Sequence, residues 1–296
     1  MKRIALMIAF FFSAALAQAG EPNKKSIEYV QKLQTNTGGF LSQAPAPNIR
    51  LAPTLKSTSS AVRTLHYLGG DILNKDGCIK FVESCHDAAS GGFSDMPKGK
   101  PDVFTTAVGL MAVTELKMPG DKYEKGAIKY LSENAKAFED IRIAAAGLER
   151  LSAKSPKNAD WLKDVLALRN EDGSFGKNAG KARATGGSVV TLLRLGNELK
   201  SEEAKSVLDV LNAGQRKDGG WGSEKDDKAS DLETTYRVMR CYMMLKARPA
   251  NVDGLRAFIT KCRNDDGGYG VTPGQTSTVG GTYFAAIVQY WLKKGT

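Results

Sequence analysis

Histidine is almost missing from this chain: His66 and His86 are the only two in 296 residues, beside four cysteines. A nucleophile–histidine pair or a cluster of imidazole and thiolate metal ligands has little to be built from. No Cys-x-x-Cys occurs, so the usual dithiol redox motif is absent. The charge excess is modest, 42 Lys+Arg against 32 Asp+Glu for a formal +10, and the basic residues are spread along the chain and interrupted by acids. That pattern gives no support to nucleic-acid binding. Period-two alternation is missing as well, which excludes a sheet protein. What remains, 42% hydrophobic and 25% charged residues, is the composition of a globular chain long enough to bury a sizeable core.

The one long apolar run, Ile4 to Leu16, follows Lys2 and Arg3 and precedes Ala17-Gln18-Ala19. A basic start, a short apolar segment and small residues at a cleavage site read as a secretory leader over 1–19, followed by a single domain over 20–296. The run is too short for a membrane span, and no later one is longer. The mature protein is therefore expected to be exported, periplasmic or extracellular. Its cysteines are expected to be buried thiols. Cys78 and Cys85 lie seven apart on a helix-like segment, roughly 10 Å, beyond disulfide reach.

A phrase recurs through the rest. An amphipathic segment ends in a glycine turn with an aromatic, and a more apolar helix follows. The turns are Gly38-Gly39-Phe40, Gly91-Gly92-Phe93, Gly173-Ser174-Phe175, Gly219-Gly220-Trp221 and Gly267-Gly268-Tyr269, with Lys136-Ala137-Phe138 as a copy lacking glycine. The aromatics are spaced 53, 45, 37, 46 and 48 residues apart, the signature of stacked supersecondary units. Leu255, Phe258, Ile259 and Cys262 make one buried stripe before a turn, whereas Val103 to Leu116, Leu232 to Leu245 and Val279 to Leu292 are apolar nearly all round. The spacing predicts six helix pairs, near 24–72, 75–118, 120–153, 158–200, 203–248 and 251–296. Helices with one wet face form an outer ring and buried helices an inner one. The fold class is all-α.

Gln215 to Trp221 (Gln-Arg-Lys-Asp-Gly-Gly-Trp) resembles the Gln-x-x-x-Gly-x-Trp repeat of squalene and hopene cyclases, and Gln34 to Phe40 is the same phrase with Phe. Cys85-His86-Asp87 followed by Gly91-Gly92-Phe93 resembles the repeats of protein prenyltransferase β subunits, where Cys-Gln-Asp precedes Gly-Gly-Phe. The resemblance runs along the whole mature chain. It implies a closed (α/α)6 toroid with a central cavity entered near the N-termini of the inner helices.

It also implies a test of chemistry. Protein prenyltransferases hold one zinc by an Asp and a Cys two apart and a His on another inner helix, so that the metal turns the substrate thiol into a thiolate. Asp231 matches the Asp position, with Lys225 and Lys228 at the two basic positions that help hold diphosphate. Glu233 stands where the Cys belongs, and the run Asp102-Val103-Phe104-Thr105-Thr106 has Thr105 in the His position. No metal ligand set follows, and no cofactor is expected unless the resemblance to active zinc enzymes holds. The cyclases' Asp-x-Asp-Asp acid motif and the Cys-Gly-Glu-Gln of thioester domains are both missing.

Ser230-Asp231-Leu232-Glu233 also fits a capping box, which gives Glu233 a structural alternative. Lys225 and Lys228, in a stretch with four acids, suit a solvated loop better than an anion clamp. His66, between Leu65 and Tyr67, reads as a core histidine, and His86 as a turn hydrogen-bonding residue. Small polar residues start the inner helices: Ser57 to Ser60, Thr105 and Thr106, Arg183 and Thr185, Thr234 and Thr235, Thr276 and Thr278. The hydroxyls are helix caps first, and in a ring they would line a polar mouth above an apolar floor. The leading expectation is a prenyltransferase-like toroid without zinc-dependent transfer, whose cavity takes an apolar, isoprenoid-like or anionic-headed ligand or a protein partner. Lys225, Lys228, Asp102, Thr105, Thr106, Thr235 and Thr278 are the ligand-binding candidates; Asp231 and Glu233 are the catalytic ones. The alternatives are an active geranylgeranyl-type transferase, using Asp231 for a metal, and an interaction ring whose centre is plugged by Phe104, Tyr236 and Tyr283.

Overall fold

A computed structural model describes residues 21–223 and 229–295; the leader proposed over 1–19, and with it Lys225 and Lys228, fall outside the described residues. The described chain is all-helical, with isolated bridges but no strand. Twelve α-helices alternate between two roles. α1 (Glu21–Lys32), α3 (Lys75–Ser84), α5 (Asp121–Asn134), α7 (Asn158–Leu166), α9 (Ser201–Ala213) and α11 (Val252–Lys261) each bury one stripe. In α9 that stripe is Val207 and Leu211, and in α11 it is Leu255, Phe258 and Ile259. α2 (Leu55–Leu68), α4 (Val103–Glu115), α6 (Phe138–Arg150), α8 (Lys181–Arg194), α10 (Leu232–Met244) and α12 (Val279–Lys294) are buried over most of their circumference. α4 buries Val103 and then every residue from Thr105 to Val113, as its nearly unbroken apolar sequence requires.

Each of these buried helices packs on the next, and α12 packs back on α2, so the inner set closes. Two hydrogen bonds and one close approach hold the seam. The Ser26 hydroxyl donates to the Gly267 carbonyl at 2.6 Å, the Val279 amide donates to Ser42 O at 2.8 Å, and Gly267 lies against the Lys25 backbone. The same amide-to-loop bond runs from Leu55 to Asp95 O and from Leu232 to Val271 O, tying consecutive pairs together.

The recurring turns explain the recurring threonines. The backbone N–H of each turn aromatic donates to a threonine hydroxyl in the first turns of the buried helix that follows. The pairs are Phe40 with Thr58, Phe93 with Thr106, Phe175 with Thr185, Trp221 with Thr235 and Tyr269 with Thr282, at 2.9–3.1 Å. All five hydroxyls serve buried amides that would otherwise be orphaned at about 1–3 kcal/mol each. The glycines permit a closer approach. Gly38, Gly91 and Gly219 have φ of +88°, +78° and +91°, and each turn rests on a glycine of the next outer helix: Gly77, Gly126 and Gly254.

Two sequence expectations change. Phe138 is not a turn aromatic: it opens α6, because only Ala135 to Ala137 separate α5 from α6 and no loop exists to hold it. His66 is not a core residue: it stands exposed near the end of α2, its Nδ1 2.9 Å from Glu115 Oε1. The four cysteines are free and buried, and burial pushes their thiols up to about 12.

Candidate functional site: an arginine-lined hub

A cavity of about 270 Å³ lies at the centre, lined by residues of all six buried helices. Phe104, Tyr236 and Tyr283 line this space rather than fill it, and Phe104 keeps 44% of its surface exposed at the N-terminal rim. The polar lining is cationic: Lys56, Arg63, Arg142, Arg150, Arg194, Arg237 and Arg240 stand against Glu149 and Glu233.

Three levels follow from helix periodicity, because residues three and four apart share a face. At the rim an ion-pair belt crosses α6, α10 and α8. Arg142 Nε meets Glu139 at 2.8 Å, Arg237 bridges Glu139 at 2.9 Å and Glu233 at 3.0 Å, and Arg183 meets Glu233 at 3.1 Å. At the far level Arg194 pairs with Glu149 at 2.8 Å, and Arg150 pairs with Glu115 at 3.2 Å.

The middle level is different. Arg63 donates through Nη1 to Tyr283 Oη at 2.8 Å and through Nε to Ser59 O at 2.9 Å. Arg240 donates through Nη2 to Tyr236 Oη at 3.1 Å, with its guanidinium carbon 4.6 Å from the Trp291 ring centre. Neither arginine has a carboxylate partner among the described residues, and Arg240 Nε is buried with no hydrogen-bond partner.

These guanidiniums act on the phenols between them. Burial alone would push Tyr236 up, but Arg240 and Arg63 outweigh it, aided by a hydrogen bond from Tyr283, and its pKa falls below the ordinary tyrosine range. Burial raises Tyr67 and Tyr283 instead. A spectrophotometric titration is therefore expected to show one tyrosine ionising below the free-phenol value of about 10. Tyr236→Phe should remove that step; its persistence in the variant would rule the assignment out.

Of the described candidates named from the sequence, Glu233 lines the cavity and the others do not. Asp102 and Thr105 form a capping box on α4, with Thr105 N donating to Asp102 Oδ1 at 2.7 Å and Thr105 Oγ1 donating to Phe93 O at 2.6 Å. Thr106 and Thr235 hold the turn aromatics, and Thr278 caps α12 by accepting from Gly281 N at 2.9 Å. Guanidiniums and rings dominate where a hydroxyl-lined mouth was expected, because most of these hydroxyls bond the backbone; Ser60 does line the cavity, and Thr234 accepts from Arg183 at 3.0 Å. Asp231 caps α10, accepting from Thr234 N at 2.7 Å. Glu233 does not complete a capping box with Ser230, whose hydroxyl donates to Asp218; it turns into the cavity toward Arg183 and Arg237. His86 makes ring contacts with Phe93 and Tyr123 where Gln34 and Gln215 make turn hydrogen bonds.

Sequence reasoning passed over Arg63, Arg142, Arg194, Arg237 and Arg240. Their signal was position: each is a fixed cation on a helix with little wet surface, which calls for a polar interior.

The chain matches the prenyltransferase alpha-alpha toroid domain over residues 1–87, 70–131 and 122–294, and it belongs to that family. A curated relative, the geranylgeranyl transferase type-1 subunit beta of Arabidopsis thaliana, is 27% identical over 117 residues, 39% of this chain and 31% of the relative. Among solved structures, the type II terpene cyclase MstE from Scytonema superposes with a TM-score of 0.65 at 10% identity, covering 95% of this chain and 98% of the cyclase. Candida albicans protein geranylgeranyltransferase-I complexed with GGPP gives 0.65 at 14% identity, covering 81% and 84%. A glycosidase in complex with glucose gives 0.58 at 10% identity, covering 95% and 98%. At these identities the likeness is one of fold.

The zinc that the prenyltransferase resemblance implies does not fit the residues at Asp231. Its Oδ1 is taken up by the α10 cap, Glu233 is held by two arginines, and Thr105 faces a backbone carbonyl. Among the described residues no three His, Cys, Asp or Glu side chains gather around a common point. No helix there is long and apolar enough to cross a membrane.

Proposed function

We propose that this protein is an exported toroid of six helix pairs, periplasmic or extracellular, whose hub binds a small ligand with an apolar body and an anionic head, and that it carries out no zinc-dependent prenyl transfer. The observation that carries this reading is the lining of the cavity, seven cationic side chains interleaved with Tyr67, Phe104, Tyr236, Tyr283 and Phe284. Aromatic and apolar walls supply contact area, and a few placed charges fix orientation, which is the usual construction of a ligand pocket. The volume lies just under the common range of about 300–1,000 Å³, so the ligand is compact. No cofactor is part of the proposal. The geranylgeranyl-type transferase reading draws on the names of the Arabidopsis relative and the Candida neighbour; it would place a diphosphate on Lys225 and Lys228 and a metal on Asp231.

Native mass spectrometry of the purified chain separates the two. The expected spectrum carries an anionic amphiphile released on activation, with no stoichiometric zinc. Retained zinc, together with prenyl transfer from geranylgeranyl diphosphate to a thiol peptide, would overturn the proposal.

A further inference from the structure

The mid-depth arginines carry the reading one step further. Most cations around the hub face a carboxylate: Arg142, Arg150, Arg194 and Arg237 pair with Glu139, Glu115, Glu149 and Glu233, and Lys56 with Asp95 at 3.6 Å. Arg63 and Arg240 face only phenols, aromatic rings, the Met111 sulfur at 3.4 Å and one main-chain oxygen. They come from α2 and α10, with α12 between them carrying Tyr283. Arg63 is buried and Arg240 partly so; a guanidinium shielded from water without a carboxylate is costly, and the buried Arg240 Nε–H has no acceptor. Two such groups converging on one cavity are complementary to an oxyanion, which guanidinium forks hold with several parallel hydrogen bonds.

We infer that Arg63 and Arg240, walled by Tyr67, Tyr236 and Tyr283, form a seat for the carboxylate or phosphate head of the hub ligand, which enters head first. The apolar body then lies rimward, against Phe104, Val108, Ile143 and Phe284. This rests on the hub-ligand reading above and adds the ligand's orientation and head chemistry. The rim belt is left with paired charges, which position the opening without competing for the head.

Tyr236 gives the seat a pH response. Arg63 and Tyr67 approach it from α2, Tyr283 from α12, Arg240 from its own helix, and Arg194 and Arg142 from α8 and α6. Its phenolate neutralises the cations that the ligand head needs, so anion affinity falls as pH rises through its titration.

Isothermal titration calorimetry on the full chain with decanoate, decyl phosphate and decanol tests the seat. Both anions are expected to bind more tightly than decanol by about tenfold or more, the usual effect of a charge-assisted hydrogen-bonded pair. Arg63→Met and Arg240→Met should each remove most of that margin and leave decanol unchanged, while Lys205→Met on the exposed face of the outer helix α9 changes nothing beyond about twofold. Arg63→Lys keeps the charge but loses the fork and should lie between. Tyr236→Phe should flatten the pH dependence, a readout that a folding defect would not produce. Binding of all three compounds with no response to Arg63 or Arg240 would overturn the seat alone. Binding of none would overturn the hub-ligand reading with it.

Discussion

Gly219→Ala should lower the free energy of unfolding by about 3–5 kcal/mol, measured by urea denaturation with the wild-type slope retained. Two effects add. At φ of +91° an L side chain pays the left-handed penalty of about 1–2 kcal/mol. A Cβ at that site would also fall inside the peptide linking Gly254 to Leu255, so α11 must retreat from the turn and its packing with it. Gly69→Ala separates the two effects, because Gly69 has φ of +76° but nothing within 4 Å of the added carbon. It should cost only about 1 kcal/mol. If both variants lose the same amount, the close approach contributes nothing and the account of the repeat junction is wrong.

Arg240→Met is expected to do the opposite, raising the unfolding free energy of the ligand-free protein by about 1–4 kcal/mol. Met fills similar space without a charge. The arginine gains about 1 kcal/mol from each ring it covers, Trp291 at 4.6 Å and Tyr236 at 5.4 Å. Against that stand an unpaired Nε, the loss of water around the charge and the like charge of Arg194. Residues kept for binding often hold stability below what the same fold can reach. Thermal unfolding compared in one buffer decides the matter. A variant less stable than wild type by 1 kcal/mol or more would mean that the rings and Tyr236 already compensate the charge.

The toroid was legible because its information is local and repeated. Gly-Gly-aromatic at 38–40, 91–93, 219–221 and 267–269 marks the turns, and the apolar all-round pattern of Val103 to Leu116 marks a buried helix. Where the repeat lacks its glycines the spacing misleads: Phe138 falls at the period of a turn aromatic, although the three residues between α5 and α6 cannot form the turn. The hub was not legible for a geometric reason. Arg63, Arg142, Arg194 and Arg240 lie on four helices and meet only because the inner ring closes, so along the chain they look like scattered basic residues. The threonines show the converse. Their regular placement at helix starts was visible, but it records the five backbone amides they accept, not a ligand. Glu233 fitted a local capping motif and was drawn away by Arg183 and Arg237, a long-range pairing that no local pattern encodes.

The bond from Ser26 to Gly267, with α12 against α2, leaves no hairpin at the end of a row. In an open stack the outermost unit has one neighbour and is the first to fray, and its loosening passes inward. Here every hairpin is flanked twice, so peeling one away must break two interfaces together. A pocket made of single side chains from each member of such a circle keeps its shape as long as the circle is shut, and loses all of its walls at once when it opens.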